Sequence, residues 1–179
     1  MFSKMINNNL FESLTTKEEK YSYLLDNMSL LFTFVQTSNE DEGIADLKRL
    51  SQLANFTALM KELFDSFSWV GFYVASGNKL YLGPFQGKTA CEIIDFGKGV
   101  CGTAASKKET IVVKNVHEFN GHIACDTGSN SEIVLPLLRN NELWGLLDID
   151  SYNLNNFDET DKNYLEKIVN LFLEIIKFK

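Results

Sequence analysis

The sequence lacks an excess of positive charge, a long apolar run and an apolar leader. Its 17 Lys and Arg residues are outnumbered by 24 Asp and Glu residues, for a net charge of -7 at pH 7. General nucleic-acid binding and docking on an anionic membrane both need a basic face, so the charge argues against both. No apolar run approaches the roughly 20 residues of a membrane-spanning helix. The N-terminus, MFSKMINNNL, has no apolar core of a secretory signal.

Cysteine is also scarce. The missing leader predicts a cytoplasmic, reducing location, in which the three residues Cys91, Cys101 and Cys125 are thiols at rest. An odd number indicates that at least one is not part of a structural disulfide. No C-x-x-C spacing supports a zinc ribbon. His117 and His122 could add ligands, so a metal-binding structural domain is one alternative.

The composition is that of an ordinary globular domain. The chain has 179 residues, of which 45% are hydrophobic and 23% charged, enough for one domain with a substantial core. No repeat or interdomain linker is visible. We therefore predict a polar tail over residues 1–14 and one domain over 15–179.

Apolar periodicity predicts helices at both ends of this domain. The segment Thr15-Thr16-Lys17-Glu18-Glu19 is a capping-box pattern, with a hydroxyl cap and a Glu three positions on, before an apolar helical period that runs from Tyr21 to Val35. A polar loop over 36–43 separates it from a second helical pattern, whose apolar residues are Leu47, Leu50, Leu53, Ala54, Ala58 and Phe64. Asp158 can cap a last amphipathic helix that carries Leu165, Ile168, Phe172 and Ile175.

Between the helices the apolar period changes to two, which is typical of strands. We predict strands over 69–74, 79–82, 92–96, 110–113, 132–138 and 143–150, a short helix over 102–108, and turns at 76–78 and 140–141. Residues 114–131 have no period, and a long loop inside a compact domain is usually functional. The element order predicts an α+β domain with an antiparallel sheet flanked by N- and C-terminal helices.

Alternation of side chains across a strand places candidate binding residues on one face. Trp69 and Tyr73 share a face, and so do Asp148 and Asp150, while Glu132 begins the neighbouring strand. Side by side, these strands would build a pocket with aromatic walls and an acidic end, suited to a small cationic or zwitterionic ligand. The alternative is that the three carboxylates are solvated strand ends.

One glycine pattern points elsewhere. Gly97-Lys-Gly-Val-Cys-Gly102 matches G-x-G-x-x-G, the dinucleotide fingerprint. That fingerprint requires a βαβ unit, and here a long irregular loop follows instead of a second parallel strand. The glycines are better explained by a tight backbone path beside the Cys101 thiol.

Several longer motifs resemble one known family, the free methionine-R-sulfoxide reductases, which have a GAF domain. The motifs occur in the family's order between Trp69 and Asp150: Trp69-Val-Gly-Phe-Tyr73, Leu82-Gly-Pro-Phe-Gln-Gly-Lys88, Gly97-Lys-Gly-Val-Cys-Gly-Thr-Ala-Ala105, Gly121-His-Ile-Ala-Cys-Asp126, Ser131-Glu-Ile-Val134 and Gly145-Leu-Leu-Asp-Ile-Asp150.

This resemblance implies roles for particular residues. Cys125 matches the catalytic thiol, and Cys91 and Cys101 match resolving or recycling thiols. The residues that match the lining of the substrate pocket are Trp69, Tyr73, Glu132, Asp148 and Asp150. The resemblance also implies a homodimer that is recycled by a thioredoxin-type dithiol, with no metal or other cofactor.

The implied chemistry explains this residue set. A thiolate attacks the sulfoxide sulfur, an acid protonates the oxygen, and a second thiol converts the resulting sulfenic acid to a disulfide. Carboxylates would hold the substrate ammonium, and one with a raised pKa would supply the proton. Trp69 would face the substrate methyl group and Tyr73 would form a hydrogen bond. Backbone N–H groups before Cys125 would meet the substrate carboxylate. A non-catalytic GAF sensor of a small ligand remains the alternative function.

Overall fold

The computed structural model describes residues 13–32, 41–121 and 127–176. It confirms the predicted α+β class. The elements are α1 (Lys17–Leu31), α2 (Glu42–Leu63), β1 (Trp69–Ser76), β2 (Lys79–Gln86), β3 (Ile93–Asp95), α3 (Gly99–Lys107), β4 (Ile111–Val113), β5 (Ser131–Arg139), β6 (Glu142–Ser151) and α4 (Glu159–Ile176), with a 3₁₀ turn at Val116–Glu118.

The strands form one six-stranded sheet in the order β3-β2-β1-β6-β5-β4. Every pairing is antiparallel. The β5–β6 turn runs through Asn140 and Asn141, which have φ values of 48° and 64°. Left-handed backbone at two successive residues suits a tight hairpin, and Asn tolerates it better than most side chains. This hairpin brings β5 and β6 together in the centre of the sheet, beside β1.

The two faces of the sheet carry separate apolar cores. Val70 and Phe72 of β1 point into the larger core, which α1, α2 and α4 cover. Trp69 and Tyr73 point into a smaller core on the opposite face, which α3 covers. The alternation predicted for β1 is therefore confirmed, and it separates the aromatic side chains of the candidate site from the main core.

In β6 the predicted alternation fails at one residue. Leu137 pairs with Gly145 and Leu138 with Leu143, so Trp144 has no partner in the ladder. Such a bulge adds one residue to a strand and reverses the faces beyond it. Trp144 accordingly packs on the larger core and Leu143 on the smaller core, which is the reverse of the prediction. Asp148 and Asp150 follow the bulge and keep the predicted face.

The long helices lie where they were predicted, but their bounds and faces were partly wrong. The first helix ends at Leu31, whereas the predicted period ran to Val35, which is outside the described residues. Thr16 and Glu19 form the predicted capping box at the start of α1. In α2, however, Leu47 and Leu50 are 63% and 50% exposed. The buried face of α2 is instead formed by Ala45, Arg49, Leu53, Phe56, Thr57, Leu59, Met60 and Leu63. Among the described helices, none is long and apolar enough to cross a bilayer.

The predicted short helix begins earlier than expected. It starts at Gly99 and ends at Lys107, whereas the prediction was residues 102–108. Gly97 and Gly99 have φ values of 81° and 61°, which allow the chain to turn sharply into the helix. A Cβ at Gly102 would collide with the backbone oxygen of Asp95. The glycines therefore serve a tight turn into α3, as predicted, and no βαβ unit surrounds them in the described residues.

A buried carboxylate joins the first and last helices. Asp161 accepts hydrogen bonds from the Tyr21 hydroxyl (2.8 Å), the Lys17 ammonium (2.8 Å) and the Asp158 backbone N–H (2.8 Å). Asp158 in turn caps α4 through the N–H groups of Thr160 and Asp161, as predicted. These contacts fix α1 against α4 over the larger core.

We expect Asp161→Ala to lower the free energy of unfolding by about 2–3 kcal/mol, because the fully buried Tyr21 hydroxyl loses its partner. Urea denaturation of the reduced protein measures this. The matched control is Asp26→Ala, which removes an exposed carboxylate of α1 and should stay within about 0.5 kcal/mol of the wild type. Equal effects of the two substitutions would contradict the role of Asp161.

Candidate functional site

Three adjacent strands align the predicted binding residues in rows across the sheet. Asp150 pairs with Trp69 on one side and with Glu132 on the other. In the next row Asp148 lies between Gly71 and Val134. Neighbouring strands bring directly opposed Cβ atoms within about 5 Å. The sheet therefore brings together residues as distant in the chain as Trp69 and Asp150, as the side-by-side placement of the strands predicted.

We call the group formed by Trp69, Tyr73, Cys101, Glu132, Asp148 and Asp150 the acidic-aromatic site. Its aromatic wall is built around Gly71. The indole of Trp69 lies over this glycine, and any Cβ there would overlap the ring. Trp69 stacks on Phe85 at 5.3 Å between centroids and on Tyr73 at 6.1 Å. The result is a fixed apolar surface beside the carboxylates.

The polar atoms of the two aromatic rings hold the segment that carries Cys91. Trp69 donates from Nε1 to the Lys88 carbonyl at 3.0 Å, and the Tyr73 hydroxyl donates to the Cys91 carbonyl at 3.0 Å. Cys91 itself is half-buried and disulfide-bonded. Cys91 is thus anchored through its own backbone to the wall of the acidic-aromatic site. The prediction that it is a thiol at rest is wrong for this structure, in which it is oxidised.

Cys101 has a different environment from Cys91. It is a free, buried thiol on the first turn of α3. Its Sγ donates to Oδ2 of Asp148 at 3.2 Å and approaches Oε1 of Glu132 at 3.8 Å. Burial and the neighbouring carboxylates raise the pKa of the Cys101 thiol well above its usual range. Such a thiol is a hydrogen-bond donor and a poor nucleophile.

The two carboxyl groups nearest Cys101 resist ionisation. Burial, then the negative charges of Asp148 and Asp150, raise the pKa of Glu132 well above its usual value. Burial raises the pKa of Asp148 to about 6, although hydrogen bonds from Cys101 and Glu132 oppose that rise. Burial and mutual repulsion thus both oppose a state in which the two carboxyls are ionised together.

This arrangement carries a stability cost that depends on pH. A carboxyl with a raised pKa favours the folded state at low pH, and this advantage is lost as pH rises from about 4 through about 6. We expect Asp148→Asn to raise the free energy of unfolding at pH 8 by about 1–3 kcal/mol, at about 1.4 kcal/mol per pKa unit. At pH 4 we expect the substitution to change stability little.

Urea denaturation at both pH values measures this effect. Glu142→Gln serves as the control, because it neutralises an exposed carboxylate of the same strand and should change neither value. Equal gains at pH 4 and pH 8, or a loss at pH 8, would contradict the link to Asp148 ionisation.

Three further residues were candidates from the sequence, namely Cys125, His122 and His117. Cys125 and His122 fall outside the described residues. His117 is exposed, and its Nε2 forms a hydrogen bond with the Asn130 side chain at 3.0 Å. Within the described ranges no set of cysteines and histidines comes together as a zinc site. Acidic oxygens surround Cys101 instead.

Sequence analysis missed two features of the acidic-aromatic site. Phe85 completes the aromatic wall. The sequence analysis placed it in a family motif but did not predict it as a site residue. Its pairing with Gly71 depends on an irregularity in β2, where Gly71 and Tyr73 pair with Phe85 and Leu82, and strand alternation does not reveal this. The second missed feature is the contact of Cys101 with the carboxylates of Asp148 and Glu132. Residues 101, 132 and 148 lie on three elements, and only the packing of α3 on the sheet brings them together.

Similarity to known proteins agrees with this geometry. Residues 45–177 match the GAF domain family. GAF domain-containing protein A of Dictyostelium discoideum is 48% identical over 157 residues, which are 87% of this chain and 92% of that protein. The free methionine-R-sulfoxide reductase of Saccharomyces cerevisiae is 45% identical over 148 residues, which are 77% of this chain and 82% of that protein.

A solved structure extends the similarity to three dimensions. The free methionine-R-sulfoxide reductase of Neisseria meningitidis, in complex with its substrate, matches with a TM-score of 0.80 and 38% identity. The alignment covers 92% of this chain and 93% of that chain. Identity of this extent over nearly the whole of both chains goes beyond a shared fold. This chain belongs to the GAF-domain family of free methionine-R-sulfoxide reductases.

Proposed function

We propose that this protein reduces free L-methionine-R-sulfoxide to L-methionine by thiol chemistry. The observation that carries the proposal is the acidic-aromatic site itself. A fixed indole and buried carboxylates lie beside a segment whose cysteine is disulfide-bonded. A free amino-acid sulfoxide offers the matching groups, namely an apolar methyl, an ammonium, and a sulfur that accepts two electrons from thiols.

The aromatic and acidic residues of the site bind different groups of the substrate. Trp69 presents its ring to the substrate methyl group, in a position that Phe85 and Gly71 fix. Asp148 and Asp150 hold the ammonium, since they lie on one face of β6 and Asp150 pairs directly with Trp69. Backbone N–H groups before Cys125 bind the substrate carboxylate. An ammonium is absent from a peptide-bound methionine sulfoxide, so such a residue is a poor ligand.

Two cysteine thiols then supply the two electrons that reduce the sulfoxide. The Cys125 thiolate attacks the sulfoxide sulfur and becomes a sulfenic acid as methionine is released. Cys91 condenses with this sulfenic acid, which forms a disulfide and one water. We infer this role for Cys91 because Cys91 is disulfide-bonded, whereas Cys101 is a free, buried thiol. Cys101 stays reduced and orients the carboxylates.

Glu132 supplies the proton that the sulfoxide oxygen needs in order to leave. Burial and the negative charges of Asp148 and Asp150 raise the pKa of Glu132 well above its usual value, which favours its protonated form. The incoming ammonium favours the ionised form of the nearby carboxylates, so substrate binding makes the proton easier to transfer. A positioned acid of this kind contributes about 10²–10⁴-fold to a rate.

Recycling, assembly and location are parts of the same proposal. A thioredoxin-type dithiol reduces the Cys91 disulfide, which is half-buried and therefore open to exchange. The chain forms a homodimer, for which the exposed apolar side chains of α2, Ile44, Leu47 and Leu50, are support. A cytoplasmic location would keep the resting thiols reduced. Residues 15–179 form the catalytic unit.

The test is the release of methionine from separated sulfoxide epimers, with dithiothreitol as reductant. We expect turnover of the free R epimer, no turnover of the S epimer, and no turnover of an N-acetylated R sulfoxide, which lacks the ammonium. Failure with both free epimers, by protein that is folded and reduced, would overturn the proposal and favour a ligand-binding sensor. Equal turnover of the acetylated compound would contradict recognition of the ammonium.

A further inference from the structure

Three ligand atoms of a kind that metals prefer meet inside the acidic-aromatic site. Cys101 comes from α3, Glu132 from β5 and Asp148 from β6, and all three are buried. One ligand atom from each lies within 4.8 Å of the others. The thiol sulfur is 3.2 Å from Oδ2 of Asp148 and 3.8 Å from Oε1 of Glu132.

These distances can be compared with the edges of a tetrahedral zinc site. With Zn–S near 2.3 Å and Zn–O near 2.1 Å, two ligands at the tetrahedral angle are about 3.6 Å apart for sulfur and oxygen and about 3.4 Å apart for two oxygens. The two observed sulfur–oxygen distances lie on either side of that value. The sulfur of Cys101 therefore already lies within about 0.4 Å of the tetrahedral spacing from both carboxylate oxygens.

A second observation also points to a ligand. Oδ1 of Asp148 is buried and has no hydrogen-bond partner among the described residues. Buried polar atoms are nearly always partnered, so an orphaned carboxylate oxygen needs an explanation. A cation would coordinate this carboxylate, and its charge would offset the repulsion between the two neighbouring acidic groups.

We infer that the site binds a thiophilic divalent cation of the Zn²⁺ class through Cys101, Glu132 and Asp148. Binding forms a metal–thiolate bond and releases to solvent the Cys101 proton and any proton on the two carboxyl ligands, without any change in oxidation state. Three protein ligands leave the fourth tetrahedral position open. The cation and a substrate ammonium need the same carboxylates, so micromolar zinc inhibits the enzyme in competition with substrate; this consequence alone rests on the proposed function.

The direct test uses Cd²⁺ as the probe and the double variant Cys91→Ser/Cys125→Ser, in which Cys101 is the last cysteine. We expect one Cd²⁺ per chain and an ultraviolet thiolate-to-cadmium charge-transfer band. Adding Cys101→Ser should abolish the band and weaken binding by more than about 100-fold, since loss of even an outer partner of a metal ligand costs about 10–100-fold. Circular dichroism checks that each variant is folded.

Further variants separate this site from adventitious binding. In the same background, Glu132→Gln should weaken Cd²⁺ binding at least about tenfold, whereas the exposed control Glu142→Gln should not change it. No charge-transfer band, or a band that survives Cys101→Ser, would overturn the proposal. Binding without competition by methionine sulfoxide would leave the metal site standing and contradict the shared use of the carboxylates.

Discussion

Cys125→Ser is expected to lower the release of methionine from free methionine-R-sulfoxide by at least about a thousandfold, because binding and electrostatic stabilisation alone remain when a nucleophile is removed. Wild-type protein without reductant should release one equivalent of methionine per chain and lose two thiols. The variant should release none and lose none. Rapid quench with thiol titration measures both quantities.

The other two cysteines serve as matched controls. Cys91→Ser should release its one equivalent but retain a sulfenic acid that dimedone traps, since the condensing thiol is missing. Cys101→Ser should still form one disulfide per turnover, because a serine hydroxyl can donate to Asp148 as the thiol does. Multiple turnover by Cys125→Ser, or failure of disulfide formation in Cys101→Ser alone, would reverse the assignment.

Glu132→Gln should give the second-largest loss, a fall in kcat of about 10²–10³-fold with a smaller change in KM. Gln keeps the size of the side chain but has no acidic proton. The proton matters because burial, which raises the pKa of Glu132, favours the protonated acid that donates it. The measurement is the pH dependence of kcat for the R epimer under saturating reductant.

Asp148→Asn distinguishes an acid from a structural carboxyl. Removal of the Asp148 charge weakens one cause of the raised Glu132 pKa, so the basic limb of the kcat profile should move to lower pH. KM should rise, since one partner of the ammonium is lost. If Glu132→Gln retained kcat within about threefold of the wild type, or if the profile of Asp148→Asn stayed in place, Glu132 would not be the proton donor.

These variants are also informative about folding. The buried carboxyl pair destabilises the folded protein at neutral pH, so neutral replacements should not unfold it. A loss of activity together with an unchanged or higher free energy of unfolding would separate chemistry from structure. Such an exchange of stability for function is common where a site needs groups with shifted pKa values.

Local patterns in the sequence were sufficient for much of the fold. The capping box at Thr16, the period-two alternation of β1 and the Asn140–Asn141 turn each depend on residues close in the chain, so backbone sterics and neighbouring side chains specify them. The motifs between Trp69 and Asp150 identified the family because they hold many residues in a specific order. The candidate residues of the site could therefore be predicted from the sequence, without knowledge of the strand pairing.

Tertiary structure decided how those residues work. The sequence alone could not show that Trp144 bulges out of β6, because a bulge depends on the register of the partner strand. Nor could it separate the roles of Cys91 and Cys101, which look alike as isolated thiols. Packing of α3 against the sheet places Cys101 on two buried carboxyls, while the hydroxyl of Tyr73 ties Cys91 to the aromatic wall. Burial and neighbouring charge, which set the reactivity of a thiol or a carboxyl, exist only after distant segments have packed together.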